Sequence, residues 1–93
     1  MKTVVIQIGN SDDRLTQGEW SSFFVEIDRC LQSGSRAVHF RGTSEGTAPW
    51  QNACLVVSVE DGNVQKLLAE VAIIRETYLQ DSVAALVGNV EMI

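Results

Sequence analysis

The chain has 93 residues, of which 45% are hydrophobic and 20% charged, and seven basic against twelve acidic side chains leave a net charge of −5. That balance fits one globular domain, residues 1–93, built on one small core, and excludes a disordered chain. The sequence also has no Lys/Arg cluster of the kind that non-specific nucleic-acid and anionic-membrane binders need, so neither partner is expected.

Residues 3–8 alternate as a strand, with Val4, Ile6 and Ile8 on one face and Thr3, Val5 and Gln7 on the other. The turn stretch "GNSDDRL" follows. "TQGE" then matches a capping box, with Thr16 and Glu19 satisfying each other's backbone N–H groups. Behind it Trp20, Phe23, Phe24, Ile27 and Leu31 fall on one stripe, which predicts a helix over about 17–33. Gly34 is expected to end it in the left-handed conformation.

Residues 35–42 predict a short strand with Val38 and Phe40 on one face and Ala37, His39 and Arg41 on the other. A loop of about ten residues, "GTSEGTAPWQ", holds the chain's one proline. Residues 52–60 predict a strand in which Ala53, Leu55, Val57 and Val59 alternate with Cys54, Val56 and Ser58. Asn63 offers an N-cap to a second helix over about 64–80, whose stripe is Val64, Leu67, Leu68, Val71, Ile74 and Tyr78. Residues 81–93 predict a last strand, bulged or bent at Gly88.

The order β-α-β-β-α-β, with right-handed crossovers, predicts an α+β, ferredoxin-like fold. Its four-stranded antiparallel sheet would have the order 4-1-3-2, with two helices on one face. That topology brings three connections, 9–15, 42–51 and 80–82, to one end. Asp12, Asp13, Glu45, Trp50 and Asp81 are therefore expected to gather there.

Each candidate has a plain reading beside the functional one. Asp12 and Asp13 suit a turn and the positive end of the helix that follows. A divalent cation there would need several oxygen ligands at once, with Asp81, Glu45 or Asn10 added, and no metal-loop spacing supports it. "IGNSDD" has one glycine and no lysine, which speaks against phosphate. Trp50 either packs over the sheet end or anchors a partner. His39, the chain's one histidine, sits beside Arg41 on the sheet face away from the helices. A surface role is the plain reading, and a general acid or base in a pocket there is the sharper one.

No nucleophile motif, zinc spacing or cofactor motif is present, so no metal or cofactor is expected. The two cysteines, Cys30 and Cys54, read as buried free thiols, with a single bridge left open. The N-terminus reads as no signal peptide and no apolar run reaches membrane-span length, so a cytoplasmic protein is expected. The open sheet face would show Val5, Gln7, Ala37, His39, Cys54, Val56, Ala84 and Leu86, a mixture too apolar for water, which predicts a homodimer through this face, with a partner protein as the other cover.

"GNSDDRLTQGEW" together with "APWQNA" resembles stretches of small uncharacterised proteins of actinobacteria and their phages. The resemblance covers about a quarter of the chain and brings no activity, ligand or fold with it. It implies a small accessory protein, of the phage type, that binds a host component. The first expectation is thus a non-enzymatic binding protein that uses its loop end. A small dimeric enzyme or small-molecule binder with a pocket around His39, Arg41 and Val56 is the alternative. A structural subunit of a larger assembly is the third.

Overall fold

A computed structural model describes residues 1–10, 14–45 and 50–93. Strand β1 spans Lys2–Gly9, helix α1 Gln17–Gly34, β2 Ala37–Thr43, β3 Asn52–Val59, helix α2 Val64–Thr77 and β4 Ala84–Gly88. The architecture is α+β. The four strands form one antiparallel sheet in the order β2-β3-β1-β4, which is the expected 4-1-3-2 read from the other edge.

One face of the sheet carries the core. Val4, Ile6 and Ile8 of β1 and Leu55, Val57 and Val59 of β3 are buried against Phe23, Ile27 and Leu31 of α1 and Leu67 and Val71 of α2. The most apolar strands are central because only they are covered along their whole length by the helix layer. Trp20 closes one end of this core and meets Phe23 edge to face, with ring centroids 6.4 Å apart.

Helix α1 starts as its sequence dictates. The Thr16 hydroxyl accepts from the Glu19 N–H at 3.2 Å, and the Glu19 carboxylate accepts from the Thr16 N–H at 2.9 Å. Its far end differs from expectation. Gly34 is still helical, and Ser35 leaves in extended conformation. Gly34 is needed for a different reason: a Cβ there would lie 2.7 Å from Leu67 Cδ1 on α2, so the missing side chain lets the two helices approach.

Helix α2 also departs at both ends. A 3-10 turn, Asp61–Asn63, precedes it, and the Asn63 side chain makes no capping hydrogen bond, because the turn already holds Asn63 in a helical conformation. At the other end α2 stops at Thr77, three residues earlier than its stripe suggests. Leu79 adopts φ 56°, its N–H donates to the Glu76 carbonyl, and the Gln80 N–H donates to the Arg75 carbonyl. That is a complete Schellman stop with leucine where glycine is usual. The Arg75 guanidinium ties the turn down by donating to the carbonyls of Gln80 and Asp81, at 3.0 and 3.2 Å.

The last departure is in β2. The expected irregularity at Gly88 is absent, since β4 pairs with β1 in continuous register. The break is at His39 instead. Val38 pairs with Val57, but Phe40 pairs with Val56, so His39 is an extra residue in the edge strand. Every residue beyond it changes face. Phe40 turns to the open side of the sheet. Arg41 turns to the helix side, where its guanidinium meets Asp28 of α1 at 2.8 Å. No helix among the described residues is long and apolar enough to cross a membrane.

Candidate functional site

Described residues of the three connections meet at one end of the molecule, and Asn10 joins those of two of them. Asn10 leaves β1 with its N–H donating to the Gln51 carbonyl at 2.8 Å, which extends the β1–β3 ladder by one bond. Its side chain then closes the β1–α1 connection. Asn10 Oδ1 accepts from the Leu15 N–H at 3.0 Å, and Asn10 Nδ2 donates to the Leu15 carbonyl and to Gln51 Oε1, each at 3.0 Å. Asn10 is only 3% exposed, so its amide is satisfied by the protein and not by water. It brackets the backbone of Leu15, whose side chain enters the core.

Gln51 carries the link onward. Its Nε2 donates to Gln17 Oε1 at 2.7 Å and its Oε1 accepts from Gln17 Nε2 at 3.2 Å. Gln51, the residue before β3, is thereby fixed to the first turn of α1. On the other side Arg14 lies 3.3 Å from Asp81 Oδ2, which brings in the α2–β4 connection.

On this frame stand three of the expected residues. Trp50 is 65% exposed, beside Gln51 in the chain. It does not pack over the sheet end. Glu45 and Asp81 are exposed as well, and Asp81 is engaged by Arg14. Asp12 and Asp13 lie outside the described residues. The cation reading loses Asn10, whose carbonyl oxygen is already an acceptor for Leu15. Among the described residues no group of three His, Cys, Asp or Glu could hold a metal ion. An exposed indole at an end that also presents carboxylates suits a partner's cationic or apolar side chain.

The open-face candidates separate. His39 remains on the side away from the helices and hydrogen-bonds Ser58 Oγ through Nε2. Arg41 does not stand beside it. The bulge sends Arg41 to the helix face, so His39, Arg41 and Val56 line no common pocket. A cavity of about 380 Å³ lies elsewhere, between the end of α1 and the start of α2, and is lined by Gly34, Arg36, Glu60, Lys66, Leu67 and Glu70. None of the expected site residues borders it.

Shifted acidities follow from structural partners. Burial, with the nearby Glu70 carboxylate, pushes the Cys30 thiol up to about 11. The capping hydrogen bonds to Thr16 hold Glu19 below the usual carboxylate range. A hydrogen bond to Glu26 raises Tyr78, whose ring lies 5.1 Å from that of Phe23. Both cysteines are free thiols. Sequence reasoning missed Asn10 and Gln51 as the centre of this end. The loop composition hinted at crowding, but a pair 41 residues apart meets only through the strand register. No family model and no curated protein matches the chain.

Proposed function

We propose that this chain is a cytoplasmic, ferredoxin-like, non-enzymatic binding protein, an accessory protein of the phage type, that engages a host protein through its loop end. The observation that carries the reading is Trp50. A large apolar side chain stands 65% exposed on a frame where Asn10, Gln51, Gln17, Arg14 and Asp81 bind three connections together. A frame fixed before binding loses little entropy when a partner docks, and Trp is among the residues enriched at the energetic centres of interfaces.

The test is capture from host lysate on immobilised protein, followed by titration with the captured protein. Trp50→Ala, checked for unchanged far-ultraviolet dichroism, is expected to weaken binding about 30-fold, as removal of a Trp anchor does. Glu45→Ala is expected to have a smaller, salt-sensitive effect. Equal affinity of the folded Trp50→Ala protein would refute the loop end as the binding surface.

A further inference from the structure

The sheet face away from the helices carries a continuous apolar row. Phe40, Val56, Val5 and Leu86 are paired side by side across all four strands. The edge members are the exposed ones, Phe40 at 56% and Leu86 at 69%. Phe40 is there only because of the bulge at His39. Regular alternation would have kept it on the same side as Val38. An irregularity that turns an aromatic residue outward is unfavourable in water and becomes favourable when that face is covered.

From this we infer that a second copy of the chain covers the open face, sheet against sheet, about a two-fold axis centred on the row. Charge selects a copy over other occupants. The strand positions on this face, Thr3, Gln7, Cys54, Ser58 and Ala84 among them, carry no formal charge, although the chain as a whole carries −5. A cationic partner would gain nothing from such a face, while two acidic copies can meet through it without placing like charges in contact. The row runs Phe40, Val56, Val5, Leu86 from one edge to the other, and a copy turned about an axis parallel to the strands sets Leu86 over Phe40 and Val5 over Val56, so that each apolar side chain meets an apolar one, as an isologous contact requires.

Strands of eight, seven, eight and five residues make a face about 19 Å wide and about 16 to 26 Å long. Closing two such faces removes about 900 Å² in all, the size of a small, reversible interface. The dimer is therefore one of moderate affinity. It is independent of the loop-end reading, because its surface and that end share no residue.

Sedimentation equilibrium between about 10 and 200 µM tests it, over the concentration range of moderate interfaces. The wild type is expected to approach twice the 10.2 kDa of one chain. Leu86→Arg places an unpaired charge in the contact and is expected to stay at the mass of one chain, with self-affinity reduced at least about 100-fold. Ile73→Arg, at an exposed apolar position on α2, is expected to sediment as the wild type does. Leu86→Ser serves if the arginine variant does not fold. Thiol labelling locates the contact: Cys54 lies on this face, and its reaction with a disulfide reagent is expected to be at least about 10-fold faster in Leu86→Arg than in the wild type. A wild type that stays monomeric, an Ile73→Arg chain that dissociates while Leu86→Arg does not, equal Cys54 rates in the two proteins, or a ring or filament larger than two chains would each overturn the inference.

Discussion

Asn10 shows how much one polar side chain can hold. Its replacement by Ala removes three side-chain hydrogen bonds and leaves the Leu15 N–H without an acceptor in a buried position. The expected loss is about 2–3 kcal/mol, read as a lower urea midpoint at unchanged slope. Cys30 gives a pH signature instead. Its folded thiol ionises near 11 against an ordinary value of 9.0, so between those values the unfolded chain releases its proton first. Stability from this group is full below about pH 9 and declines as pH rises towards about 11, by roughly 1 kcal/mol after allowance for solvent screening. Cys30→Ala is expected to flatten that part of the urea profile. Trp50 was legible as a candidate because it stands outside both helical stripes. Asn10 and Gln51 were not, since nothing in either residue's neighbourhood announces a partner 41 positions away.

At the scale of elements, periodicity located the two helices and the two central strands, because each covered face repeats its apolar residues at the element's own period, whereas the last strand, expected over 81–93, has no buried face and spans only Ala84–Gly88. What it could not locate were the places where backbone geometry, not burial, decides. "AVHFRG" reads as regular alternation, yet the extra residue at His39 reverses its second half. Helix α2 carries its stripe through Tyr78, which still packs on the core after the backbone has left the helix. The Arg41–Asp28 contact produced by the bulge is testable. Asp28 is largely shielded, and Gln32 and Arg41 both donate to its Oδ2. Arg41→Met is expected to cost about 1–2 kcal/mol by leaving that carboxylate without its cation, and adding Asp28→Asn is expected to recover part of it. A double-mutant cycle in urea measures the coupling. Fully additive losses would show that β2 and α1 do not depend on each other through this pair.

For the whole molecule, the sheet order was legible from the succession of elements, since the chirality of crossovers leaves few arrangements. The net charge of −5 adds a condition on self-association. Two like-charged copies that meet through a neutral face repel only at long range, so raising salt from about 20 to 200 mM is expected to tighten the dimer. Contacts driven by charge respond in the opposite direction, and dilution calorimetry at the two salt concentrations tells them apart. A domain of this length has about 5–14 kcal/mol of stability in total. Against that margin the leucine that ends α2 is an untapped reserve. Leu79 is 80% exposed and holds φ 56° without helping the core. Leu79→Gly is expected to raise stability by about 1 kcal/mol and the melting temperature by about 5 °C. That thermal headroom would keep destabilised variants such as Asn10→Ala folded at working temperature, so that loss of binding and loss of structure could be measured apart.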